Sequence, residues 1–166
     1  MNRQSSRTSL FLIELVLSIF FFIIAAVICL QLFVNTFFLS RKTIETNQSL
    51  LWSQNLAEPF LGNNGDFSIV KKLYANIDCI SKLSIASNDS ILLCFDKDWN
   101  TVTELAESEY IVFSDFHNDD SFAYQDIYIA KYSKLLPSVQ TSQDLSTLLC
   151  EDDYLIYQLS VKKFIP

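Results

Sequence analysis

The sequence predicts an α+β protein: a long N-terminal helix that spans a membrane, followed by a small antiparallel β-sheet domain on which the helix packs. Three observations predict it. From Leu15 to Ser40 there are 26 residues without a charge. From Thr43 to Glu58 there is neither Gly nor Pro, and Ile44, Leu50 and Leu51, then Leu56 and Ala57, recur at near-helical spacing. Beyond residue 80 the chain turns to short runs rich in Ile, Val, Tyr and Phe, separated by turn residues.

The apolar run fixes the first element. As a helix at about 1.5 Å per residue it covers roughly 39 Å, against a hydrocarbon core of about 30 Å, so it crosses a bilayer with some tilt. A cleaved secretory signal would share the basic start of Arg3 and Arg7, but its apolar stretch is only about 7 to 15 residues long and ends at a small-x-small site. No A-x-A pattern follows this run. A lipoprotein anchor fares no better, because the residue before Cys29 in AVIC is the bulky Ile28. A single-pass anchor over residues 10–42 remains, with an acidic soluble domain over 43–166. Arg3 and Arg7 on one side nearly balance Arg41 and Lys42 on the other, and the N-terminal amine tips the start towards the cytoplasm.

One residue of LFLIELVLSIFFFIIAAVI is out of keeping with lipid. A carboxylate at the centre of a membrane helix costs about 2.5 to 3.5 kcal/mol, and less near the interface. Glu14 lies near the end of the run, where an interfacial side chain reaching for headgroups is the plain explanation. The stretch SLFLIELVLS, Ser9 to Ser18, supplies another, since it resembles the processing and methylation motif of type IV prepilins and pseudopilins. That family has a short basic leader, a cleavage point, and a hydrophobic segment whose fifth residue is glutamate. Counted from Leu10, Glu14 is the fifth.

The resemblance implies a leader over residues 1–9, cleavage of the Ser9–Leu10 bond by a prepilin peptidase, and methylation of the new Leu10 amine. Ser9 stands where the family prefers Gly, and Leu10 where it prefers Phe. The resemblance further implies a pilin-like fold and a non-enzymatic role without cofactors. The chain would be a minor subunit of a type IV pilus, competence or type II secretion-like filament. Its partners would be other pilin-like subunits, the peptidase, an inner-membrane assembly platform and the lipid bilayer. Its place would be the cytoplasmic membrane, with the C-terminal domain extracytoplasmic. The alternative is an uncleaved single-pass protein whose outer domain binds a ligand or partner.

The motif has a physical logic of its own. Cutting before Leu10 leaves a positive amine inside a low-dielectric medium, where a carboxylate four residues on, or in a neighbouring chain, neutralises it. Such a buried ionic pair marks register between chains. At about 100° per residue Ser18, Ala25, Cys29 and Thr36 fall within roughly 60° of Glu14, a face of small residues that lets helices approach closely.

In the soluble part, Pro59 and the NNG at Asn63 to Gly65 are expected to stop the first helix. Asp66 is a candidate N-cap for a short helix carrying Val70, Leu73 and Ile77. KLSIAS and SILLCF about Asn88-Asp89 read as a hairpin. EYIVFSDF, FAYQDIYIAKYS and YLIYQLSVKKFI read as three further strands. The last two are expected to pair across a long excursion, Leu135 to Asp153, in which SQDLSTLLC forms a helical turn.

Little catalytic chemistry is visible. Residues 43–166 carry 18 acidic and 8 basic side chains, a balance that disfavours a nucleic-acid backbone as partner. Two glycines exclude phosphate-cradling loops, and the sole histidine, His117, excludes paired-histidine zinc sites. A Ser-His-Asp arrangement would depend on FHNDD, which reads as a solvated turn. DKDWNTVTELAE places Asp96, Asp98, Asn100, Glu104 and Glu107 at calcium-loop positions, but Thr101 stands where the loop needs Gly. An acidic turn bonded by its own carboxylate accounts for the same residues. Cys79, Cys94 and Cys150 allow one disulfide with a spare thiol, or three buried thiols.

Overall fold

The computed structural model describes residues 3–79, 89–119, 121–132 and 155–165, with side chains from residue 11 onward. It divides into two units, Met1–Ile44 and Glu45–Pro166. Helix α1, Arg3–Gly62, enters both. In the first unit its described side chains are exposed on every side, among them Phe20, Phe21, Phe22, Ile23 and Ile24. By length and composition this helix is able to cross a membrane.

Pro59 does not end α1, contrary to expectation; the helix runs through it to Gly62. Proline removes the N–H that would bond the carbonyl four residues back, which here belongs to Asn55. Tyr74 fills that vacancy: its hydroxyl donates to the Asn55 carbonyl at 3.0 Å. The helix stops instead at the Asn-Asn-Gly turn. Asn64 and Gly65 adopt φ of 56° and 80°, and the Gly65 amide donates back to the Phe60 carbonyl at 2.9 Å. Gly65 is doubly constrained, since a Cβ there would lie 2.7 Å from that of Ala123.

Helix α2, Phe67–Tyr74, begins at the expected Asp66 cap, whose carboxylate accepts from the Ser68 amide at 2.9 Å. That bonding to Ser68 holds the Asp66 carboxyl below its ordinary value. Val70 is buried as expected; Ile77 packs against the core from the turn that follows the helix, which ends at Tyr74 rather than carrying Ile77 as expected. Leu73 is 60% exposed and does not join them.

Five antiparallel strands form one sheet in the order β2-β1-β3-β4-β5. They are β1 (Ser90–Phe95), β2 (Thr101–Val102), β3 (Tyr110–Asp119), β4 (Phe122–Lys131) and β5 (Leu155–Phe164). The expected pairing of the last two holds, with Ile127 opposite Leu159. Residues 82–87, the first arm of the expected hairpin, lie outside the described residues, as does the helical turn expected over 142–150. Within the described residues β1 pairs with β2 and β3, and Asp78 bridges to Leu93. FHNDD corrects another expectation: Phe116 to Asp119 continue β3 and pair with Phe122 to Gln125.

The strand period of two splits the side chains between two faces. One face packs on the second half of α1 and on α2. There Leu56, Ala57, Phe60 and Val70 meet Ile91, Leu93, Phe95, Val112, Phe116, Ile127 and Ile129. Each such Leu, Ile or Phe contributes about 1.5 to 3 kcal/mol by leaving water. Trp52 extends this layer, its ring centroid 4.6 Å from that of Phe95. Ser49 and Ser53 are buried on the same side of α1, and each hydroxyl bonds back to its own helix, to the Glu45 carbonyl at 2.7 Å and the Leu50 carbonyl at 2.8 Å. The opposite face has a smaller cluster of Cys79, Leu92, Cys94, Ile111, Phe113 and Ala130.

Candidate functional site

The residues singled out in the apolar run all lie on α1. Ser9 and Leu10 belong to its first turns, and Glu14, Ser18, Ala25 and Cys29 are exposed along it. The Ser18 hydroxyl donates to the Glu14 carbonyl at 2.9 Å, and that of Thr36 to the Leu32 carbonyl at 2.8 Å. These back-bonds satisfy the hydroxyls within the helix, an arrangement that suits an apolar medium. The Glu14 carboxylate projects from the helix with no charged group of Lys or Arg between it and Arg41.

In the sheet domain the face turned away from α1 carries the titratable chemistry. Strand register sets three residues side by side across β3, β4 and β5, and three such rows follow one another. Asp115, Asp126 and Ser160 form the first, His117, Tyr124 and Lys162 the second, and Asp119, Phe122 and Phe164 the third. His117 stacks on Tyr124 with centroids 4.7 Å apart and planes 2° from parallel. Lys162 lies over the Phe122 ring at 3.7 Å and near that of Tyr124 at 5.0 Å. His117 Nδ1 is 3.8 Å from an Asp126 oxygen, while the Ser160 hydroxyl donates to the other Asp126 oxygen at 2.5 Å. A Ser-His-Asp relay needs the hydroxyl on the imidazole. Here it is on the carboxylate, so the three groups do not form one. Burial pushes the Asp115 carboxyl up, and the nearby Asp126 and Asp89 add to the rise, while the Phe116 amide and His117 oppose it.

The calcium-like stretch forms the β1–β2 turn. The Asp96 carboxylate accepts from the Asp98 and Asn100 amides, both at 2.9 Å, and from Asn100 Nδ2 at 3.1 Å. These bonds, led by the Asn100 side chain, hold Asp96 below the usual carboxylate range. Glu104 precedes and Glu107 ends a 3₁₀ turn, Leu105–Glu107. Asp96 is thus engaged by amide donors, as in an Asx turn. Among the described residues, no cluster of three or more His, Cys, Asp or Glu side chains is placed to hold a metal. Trp99 adopts φ of 63° in this turn and stacks on Tyr110 at 4.4 Å.

Cys79 and Cys94 are buried thiols, not joined in a disulfide. The Cys79 thiol donates to the Val102 carbonyl at 3.4 Å. Cys150 lies outside the described residues.

Two arrangements have no counterpart in the expectations. Gln125 is fully buried, with its Nε2 donating to the Leu56 carbonyl at 3.3 Å and to the Ser114 hydroxyl at 3.1 Å, while its Oε1 has no partner among the described residues. Glu45 accepts from the Tyr110 hydroxyl at 2.8 Å and from Lys131 Nζ at 3.0 Å, tying the helix to β3 and β4. A polar residue amid the alternation of FAYQDIYIAK was the available signal for the first. The second joins residues 65 and 86 positions apart, and no local pattern announces it.

Comparison with protein-family models, curated proteins and solved structures gives no match.

Proposed function

We propose that this chain is a minor pilin-like or pseudopilin-like subunit, a non-enzymatic building block of a type IV pilus, competence or type II secretion-like filament. A prepilin peptidase would cut Ser9–Leu10, and the chain would wait in the cytoplasmic membrane with its acidic domain outside. The observation that carries this reading is Glu14, fifth from Leu10 in SLFLIELVLS, at the head of an exposed apolar helix. The course of α1 supports it, because the helix goes on to cover one face of a small antiparallel sheet. In this reading Glu14 meets the Leu10 amine of its own or a neighbouring chain in surroundings of low dielectric, lipid or packed helices, where an unpaired charge is costly.

Glu14→Val tests the role. Insertion is expected to be retained or improved, since valine enters lipid more readily. Incorporation into filaments, read by immunoblot of the sheared surface fraction, is expected to fall by roughly tenfold, the order of one lost charge-assisted pair. Unaltered incorporation would remove the role assigned to Glu14.

The second reading, an uncleaved single-pass protein with an extracytoplasmic binding domain, draws on two observations. Ser9 replaces the family's Gly, and the outer sheet face presents the ordered array of His117, Tyr124, Lys162 and Phe122.

A further inference from the structure

Charge is not the only polar feature of the apolar run. Gln31 and Asn35 lie four residues apart, and both are exposed on the same side of α1, lining one shallow groove with Leu30 and Val34. With Arg41 and Lys42 anchored at the headgroups, Asn35 sits about 9 Å and Gln31 about 15 Å further into the membrane along the helix. Both carboxamides then fall within hydrocarbon or at its edge.

Ser18, Thr36 and Thr43 resolve the same difficulty alone, by donating to the carbonyl four residues back. The two carboxamides do not. Neither makes a side-chain hydrogen bond among the described residues, although each has two N–H donors and an acceptor oxygen. Water is scarce at that depth, so an amide without a partner is costly and calls for one from another helix.

We propose that the partner is a second copy of this chain, docked in parallel along Ile24, Ile28, Gln31, Asn35 and Phe38. These five positions repeat at intervals of four, three, four and three, the spacing of a left-handed helix pair. Ile24, Ile28 and Phe38 are exposed by 40%, 51% and 66% and supply the apolar flanks. Self-complementarity selects the occupant. Copies of one chain insert in the same direction, so a two-fold contact sets Gln31 against Gln31 and Asn35 against Asn35. A carboxamide both donates and accepts, so each meets its own match, as a buried Asn does in a coiled coil. The seam is distinct from the small-residue face of Ser18, Ala25 and Cys29. The inference rests on the membrane-spanning part of the proposed function and not on its processing step.

The test is energy transfer between donor- and acceptor-labelled full-length chains in dioleoylphosphatidylcholine vesicles, titrated by adding lipid. Wild type is expected to associate, and Gln31→Leu with Asn35→Leu to weaken that association about tenfold, the order of the interhelical bonds removed. Gln31→Asn is expected to retain most of it, and Phe22→Leu, on another face, all of it. The leucine variant inserts at least as readily as wild type, so its loss cannot be laid to failed insertion. A wild type that inserts but stays monomeric, or a double variant that associates equally well, overturns this inference alone. Full release of wild type by alkaline carbonate overturns it together with the membrane-spanning reading.

Discussion

The two halves of α1 solve opposite problems with one backbone. From residue 11 through residue 39 the described large apolar side chains point in every direction and none is buried within its unit. From Glu45 to Gly62 one side is covered: Leu56, Ala57 and Phe60 go inside, while Gln54 and Glu58, together with Leu50, Leu51 and Leu61, stay exposed. An all-round apolar helix needs an apolar surrounding, whereas a one-sided one needs a partner surface. The sheet is that surface for the second half, and in the proposed reading lipid or other helices would serve the first. Polar groups are handled differently as well. Hydroxyls bond back to their own helix in both halves, but in the second Asn55, Leu56 and Glu45 also receive donors from Tyr74, Gln125, Tyr110 and Lys131.

The largest test of this contrast is a pair of truncations. Phe60 is 1% exposed and touches Phe116, so Phe60→Ala is expected to destabilise the domain by about 3 to 5 kcal/mol. Phe22, 75% exposed, is expected to leave domain unfolding unchanged when replaced by Ala. Denaturant unfolding of full-length protein in micelles, followed by Trp52 and Trp99 fluorescence, measures both. Equal losses from the two truncations would break the comparison.

A smaller effect is expected at Pro59. Tyr74→Phe strips the donor from the Asn55 carbonyl and should cost about 1 kcal/mol. Pro59→Ala restores the helical N–H that serves the same carbonyl, so in its background the loss from Tyr74→Phe should shrink. A double-mutant cycle reads the coupling, and strict additivity would show that the Tyr74 bond does not compensate for the proline.

The smallest effect concerns Asp115. Its carboxyl is raised by burial, so the folded state holds the proton more tightly than the unfolded chain. Stability from this group is full below the unfolded value and is lost as pH rises through the folded one. Asp115→Asn should therefore gain thermal stability relative to wild type at pH 7, and the gain should shrink as the pH falls towards 3.8, the ordinary value. A difference in melting temperature that stays constant with pH would contradict this.

Local chemistry made much of this fold legible. The long helix follows from a charge-free run and a Gly- and Pro-free continuation, α2 from the Asp66 cap, and the β4–β5 pair from two aromatic-rich alternations. What stayed hidden depended on distant partners. Proline is a sound stop signal until Tyr74, fifteen residues on, supplies the missing bond. FHNDD is polar enough for a turn, yet its alternation places Phe116 inward and His117 outward, which only the pairing with β4 decides. In FAYQDIYIAK either face could have been the inner one; the approach of Leu56 to Gln125 settles it. On α1, Glu14 stood out because it is charged, whereas Gln31 and Asn35 gain significance only beside hydroxyls that bond to their own helix.

The central claim is that the apolar half of α1 begins at a processed residue, with Glu14 fifth from it. Intact mass and N-terminal fragment spectra of the chain, taken from membranes of cells that contain a prepilin peptidase, test it directly. The expected product starts at Leu10 and carries a methyl group on its amine. A chain in which the Ser9–Leu10 bond is still whole would contradict the claim and leave the single-pass anchor in its place.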